Sequence, residues 1–204
     1  AEQICKSIEN RHSEGDRMDQ LQLKAYGKIN LGLDVIRKRS DGYHDLDMIM
    51  QMVDVYDDVI LTKKDYDDII VKTDTLILPN GKENLAYMAA KMLTDEFKIR
   101  QGLEIEIHKR IPIAGGMAGG SSDCAATLIG VNRMFDLGLS KEELMERGVK
   151  LGADVPYCIL GGTAIARGIG EILTPLPTPP RRAAWIPNPC VRPSRRSAAI
   201  WGRW

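Results

Sequence analysis

At 204 residues the chain is long enough to bury a core of its own and fits one domain better than two. Hydrophobic residues at 44% and charged residues at 27% describe an ordinary globular chain, but its 28 basic and 28 acidic residues are unevenly spread. Every basic residue after Glu171 is arginine and no acid follows it, so the body before that point is acidic and offers no clustered basic face for nucleic acid.

Cys5, Cys124, Cys158 and Cys190 are widely spaced, without a C-x-x-C pair or a nearby histidine, which argues against a zinc site and against a disulfide framework. No apolar run reaches the length of a membrane span, and residues 1–17 have neither an apolar signal core nor the acid-poor character of a transit peptide. A cytoplasmic protein with no membrane partner is expected.

Residues 1–17 are polar and lack sustained periodicity, so they are read as a non-native or disordered leader, with Met18 as the natural start. Ile29, Leu31, Leu33 and Val35 then fall at every second position, which predicts a strand with one buried face. Two further β-rich runs, DDVILTKK and DDIIVKT, follow and are separated by Asp-rich turn signals. From Asn84 the period lengthens: Leu85, Met88, Ala89, Met92, Leu93 and Phe97 predict an amphipathic helix with Asn84 as its N-cap. LEIEIHK (103–109) returns to alternation and runs into IPIAGGMAGGSSD, after which CAATLIGVNRMF reads as helix. Ser140 and Glu143 have capping-box spacing and mark another helix start.

After Glu171 the texture changes. Seven of the ten prolines lie between Pro175 and Pro193, lysine disappears, and all three tryptophans, Trp185, Trp201 and Trp204, appear. Such a break is what a change of reading frame produces. Residues 178–204 are therefore expected to be a frame-shifted or disordered tail.

The glycine-rich stretch carries the strongest chemical signal. Gly115, Gly116, Gly119 and Gly120, followed by Ser121 and Ser122, precede a helix, so backbone N–H groups can converge on an anion at a helix N-terminus. On the glycines alone, a turn without ligand is an equal reading. Gly-Lys-Ser/Thr is absent and the spacing is not G-x-G-x-x-G, which counts against a Walker loop and a dinucleotide fold.

Three motifs in order narrow the choice. Pro112 to Asp123 resembles the P-x-A-x-G-[LM]-x-G-G-S-S-D phosphate loop of the GHMP kinases, with Met117 and Gly115 as mild departures. The opening KAYGKINLGLDVIRKRSDGYH resembles the branch of that superfamily acting on diphosphocytidyl-methylerythritol, except that Gly27 stands before Lys28. LGADVPYCILGGTAIARGIGE (151–171) is similar to the segment that bears the family's catalytic aspartate.

The resemblance spans residues 18–177 and implies an α+β, GHMP-type N-terminal domain whose phosphate loop lies at a helix N-terminus, with the family's second domain missing. It implies ATP and Mg²⁺ as cofactors and, as small-molecule substrate, the 2-hydroxyl of a cytidyl-diphosphate sugar alcohol. Asp154 corresponds to the general base and Lys28 to the cation beside it; Asn30 lies by the reacting groups. Tyr43 and His44 match positions that hold the cytosine ring, and Asn84 and Lys109 line the adenine pocket; no protein metal ligand is implied. Each residue also has an ordinary structural reading: an Asx-turn for Asp154, a solvated strand position for Lys28, surface for Tyr43 and His44, an N-cap for Asn84, a solvated lysine for Lys109. Another GHMP kinase for a different alcohol, or an inactive nucleotide-binding fragment, stays open.

Overall fold

The strands and helices follow in the order β1 (Gln20–Lys38), β2 (His44–Lys64), β3 (Ile69–Thr73), α1 (Leu85–Glu96), β4 (Gly102–His108), α2 (Gly119–Met134), α3 (Lys141–Gly148), α4 (Val155–Leu160), β5 (Thr163–Gly168) and β6 (Ile172–Leu176). The computed structural model describes residues 18–75 and 81–177. The proposed leader, the proposed tail, Cys5 and Cys190 lie outside the described residues.

The sheet is organised by β2. One of its edges pairs with β1 in a long antiparallel hairpin from Gln20↔Thr62 to Lys38↔His44. Its other edge is shared: Asp58 to Lys64 pair with β4, and Leu46 to Gln51 pair with β5, both antiparallel. β3 joins β4 in parallel and β6 closes the opposite end against β5. β4 and β5 thus part along β2 between Gln51 and Asp58, and the residues of the candidate site gather at that break. The β5–β6 hairpin has no counterpart among the predicted elements.

All four helices contribute to the main core. Leu21, Leu23, Val59, Leu61, Leu103, Ile105 and Ile107 point from alternate strand positions into a layer completed by α1, α2, α3 and α4. A smaller cluster of Met48, Met50, Tyr157, Ala164 and Ala166 lies under α4. α4 belongs to both clusters, because Val155, Cys158 and Ile159 join the first and Tyr157 the second.

Two predicted faces are displaced. The stripe expected on Ile29, Leu31, Leu33 and Val35 is not the buried one: Leu31 is 49% and Leu33 43% exposed, while Leu21, Leu23 and Ala25 are buried. Register shifts between Tyr26 and Lys28, Asn30 and Gly32, and Val35 and Arg37 interrupt the alternation, as bulges do. On α1 the buried face is Ala86, Ala89, Ala90, Leu93 and Thr94, leaving Met88 and Phe97 exposed, because alanines let α1 approach α2 closely. The N-cap and capping box are as expected: Asn84 Oδ1 accepts from Ala86 N at 2.9 Å, and Ser140 and Glu143 satisfy each other's backbone N–H groups.

The approach of α2 to the sheet depends on one glycine. A Cβ on Gly130 would fall 2.0 Å from Leu61 Cδ1 and 2.8 Å from Leu23 Cδ1, and both leucines are fully buried. Gly130→Ala should therefore cost about 1–3 kcal/mol by overpacking, read as a lowered Tm without loss of the folded baseline.

Candidate functional site

The glycine-rich segment leaves β4, turns at buried Ile111 and enters α2. Ala114, Gly116 and Ala118 take φ of 57°, 70° and 58°, so every second residue is left-handed. Such alternation turns successive N–H groups toward one side and makes an anion-binding concavity. α2 begins at Gly119, five residues earlier than the sequence suggests, so Gly119, Gly120 and Ser121 open its first turn and add their N–H groups to the same end, while Ser122 N already donates to Ala118 O at 2.9 Å.

The four glycines are held by different constraints. Gly116 has the positive φ; a Cβ on Gly115 would meet Pro112 Cβ at 3.0 Å, and one on Gly119 would meet Ile111 Cγ2 at 3.2 Å and Lys109 Nζ at 3.3 Å. Gly120 leaves ordinary room, with Leu85 Cδ1 3.6 Å away. The two serines also differ. Ser122 Oγ is committed to the Tyr26 carbonyl and to Cys158 Sγ, whereas Ser121 Oγ lies on the side of Gly152, 3.8 Å from its Cβ position.

β1 delivers Lys28 to this loop through a backbone bond, Lys28 N to Met117 O at 3.0 Å. The Lys28 ammonium is nearly buried, donates to Asn30 Oδ1 at 3.3 Å and lies 3.6 Å from Asp154 Oδ2. Asp154 stands at the N-cap of α4 with helical rather than extended backbone and makes no side-chain cap bond. Pro156, in the first turn, has no N–H to compete for the carboxylate. Tyr157 anchors that turn from below, its hydroxyl donating to Gly162 O at 2.7 Å.

Lys28, Asn30, Asp154 and the loop are thus brought together. Asn84 is a neighbour through Leu85, which faces Gly120, and its side chain caps α1. Tyr43 and His44 lie elsewhere: exposed, at the hairpin tip, with Tyr43 N bonded to Asp41 Oδ1 at 3.1 Å. Along β2, His44 is eight residues from Met52, the register partner of Lys28, or about 25 Å at normal strand rise.

Lys109 occupies a position that the sequence does not announce. Its ammonium is buried between two carboxylates, 2.5 Å from Asp57 Oδ2 and 2.6 Å from Asp123 Oδ2. Asp57 is fully buried, and its other oxygen accepts the backbone N–H groups of Arg110 and of Ile111, the latter at 2.8 Å. Sequence reasoning placed the Asp57-Asp58 pair at the start of a β-rich run and gave it no further role; both lie inside β2. The signal was there: Asp57 shares the face of Val59 and Leu61, and Lys109 continues the inward positions Leu103, Ile105 and Ile107.

Asp123, in the first turns of α2, keeps one oxygen buried without a hydrogen-bond partner. Burial, the largest effect, pushes its carboxyl up to about 7; the Lys109 ammonium pulls it back, and Asp57 adds a further upward push. The Lys109 ammonium is itself held above its ordinary range by the two carboxylates despite burial. Cys158, free and buried, is pushed up to about 12 by desolvation, so it packs as a neutral thiol.

Residues 84–162 match the family described as GHMP kinases N terminal domain. A 4-diphosphocytidyl-2-C-methyl-D-erythritol kinase of Lachnoclostridium phytofermentans is 52% identical over 179 residues, 88% of this chain and 62% of that protein. One of the same description from Alkaliphilus metalliredigens is 54% identical over 159 residues, 78% of this chain and 55% of that protein. A crystal structure of 4-(cytidine 5'-diphospho)-2C-methyl-D-erythritol kinase superposes with a TM-score of 0.67 at 35% identity, covering 78% of this chain and 56% of the other. The chain therefore spans a little over half the length of the relatives it matches. Among the described residues no helix is long and apolar enough to cross a membrane.

Since the Asp123 carboxyl is raised on folding, the folded state holds its proton more tightly than the unfolded chain, and this contribution to stability is lost as pH rises from about 4 through about 7. Asp123→Asn should remove that loss. Its Tm relative to wild type should climb between pH 5 and pH 8, whereas parallel curves would show that Asp123 is ionised throughout.

Proposed function

We propose that this chain, which carries the N-terminal domain of the GHMP kinases, binds ATP through its 114–122 segment and phosphorylates a small alcohol. The acceptor that its relatives' names favour is the 2-hydroxyl of 4-diphosphocytidyl-2-C-methyl-D-erythritol. The single observation that carries the reading is the 3.6 Å approach of Lys28 Nζ to Asp154 Oδ2 beside the N-terminus of α2. A base and a cation next to a phosphate cradle are the parts that phosphoryl transfer requires, since the reaction depends mainly on positioning and electrostatics.

In this reading the N–H groups of the alternating loop and of the first α2 turn hold the nucleotide phosphates. The Asp154 carboxylate takes the proton of the acceptor hydroxyl; the freed oxygen bonds to the γ-phosphorus as the bridging P–O bond breaks and ADP leaves. Lys28 holds the hydroxyl's developing charge, and the small distance to Asn30 fixes its ammonium. Among the described residues no three carboxylate, imidazole or thiolate groups gather into a metal cage. In this reading Mg²⁺ would arrive on the nucleotide, as this ion commonly does, with Ser121 Oγ and Asp154 as the nearby side-chain oxygens; it would neutralise charge on the phosphates. Tyr43 and His44 would meet the cytidyl end of an extended substrate, far from the transferred group. A cytoplasmic setting is part of this reading.

Binding is tested on the chain itself. ATP should raise its Tm, and Gly119→Val, whose side chain runs into Lys109 and Ile111, should abolish that rise while the variant remains folded. Unchanged stabilisation in a folded variant would remove the loop from the site. Turnover is tested in a chain carried to the length of its relatives: Asp154→Ala should lower kcat by about 10²–10⁴-fold with ATP affinity nearly unaltered. Near-normal turnover would overturn the assignment of the base.

A further inference from the structure

Asp57 has no part in the reaction just described, yet it is a carboxylate without exposed surface at the point where β4 and β5 part. Such a group is tolerated only when its hydrogen-bonding capacity is filled. Its partners all belong to the two ends of the glycine-rich segment. One oxygen accepts from Arg110 N and Ile111 N, the residues from which the segment departs. The other accepts from Lys109 Nζ, which is also bonded to Asp123 on α2, where the segment ends. The same ammonium lies 3.3 Å from the Cβ position of Gly119, directly beneath the first α2 turn.

We infer that Asp57 is the positioning residue of the phosphate loop, fixing its start through two backbone amides and its end through the Lys109–Asp123 ion pair. The inference rests on the reading of that loop as a nucleotide site. Asp57 and Asp123 are too deeply buried to touch a nucleotide, and the Lys109 side chain is only 7% exposed, so the group acts through the loop backbone. Distances among phosphate-binding amides then depend on a carboxylate in the middle of the sheet. A role confined to general stability predicts something different: loss of Asp57 would lower Tm without altering ligand affinity in the molecules that remain folded.

The experiment compares wild type, Asp57→Ala, Asp57→Asn and a control, Leu61→Ala, which opens the neighbouring core without touching the loop. Asn retains an acceptor for the two amides but removes the charge facing Lys109, so it stands in if Asp57→Ala does not fold. Two measurements are made well below each Tm: hydrogen exchange of the amides of residues 111–122 without ligand, and ATP affinity. Faster exchange confined to 111–122 and at least tenfold weaker ATP binding in the Asp57 variants, with Leu61→Ala like wild type in both, is the expected result. If wild type itself fails to bind ATP, the nucleotide reading falls, and the exchange measurement alone decides the positioning role. Unchanged exchange across 111–122 in a folded Asp57 variant overturns the inference, as does equal loosening in Leu61→Ala.

Discussion

A cation and two carboxylates closed off from water are the constraint from which much of this site follows. Lys109 extends the inward face of β4 by one residue beyond the strand, Asp57 shares the inward face of β2 with Val59 and Leu61, and Asp123 lies on α2. None of the three could be buried alone at tolerable cost, so each requires the others in place. The arrangement links strand pairing to helix docking. It also explains why the glycine-rich segment departs and returns at fixed points, although its middle is held chiefly by the bond from Lys28 N to Met117 O.

α4 joins the Asp154 end of this arrangement to the rest of the fold. With apolar side chains in both clusters, its six residues are fixed from two directions, which a helix of that length could not achieve by its own hydrogen bonds. Asp154 at its start keeps its carboxylate available because the backbone there is helical and the following proline removes a donor. Position and availability therefore have separate causes, the first in the core and the second in local backbone chemistry.

Much of the fold was legible in the sequence because short-range chemistry fixed it. The glycine spacing marked the loop, Asn84 its helix cap, and Ser140 with Glu143 the start of α3. What stayed hidden depended on long-range partners. An Asp-Asp pair at the head of a β-rich run gives no sign of the lysine 52 residues away that faces it. The stripe on Ile29 to Val35 follows correct alternation, but bulges and the limited reach of the helices decide which part of a 19-residue strand is covered. Lys28 and Asp154 were assigned from motif likeness; their separation in sequence gives no hint of a 3.6 Å approach.

The left-handed backbone at Ala114 and Ala118 has a thermodynamic corollary. An alanine at positive φ is strained by about 1 kcal/mol where glycine would not be, yet it leaves the unfolded chain fewer conformations to lose. Two alanines among the glycines make the segment stiffer than an all-glycine loop. The ordering cost falls on folding of the domain and not on arrival of a ligand, so an anion entering this concavity meets amides already aligned and association carries little conformational entropy loss.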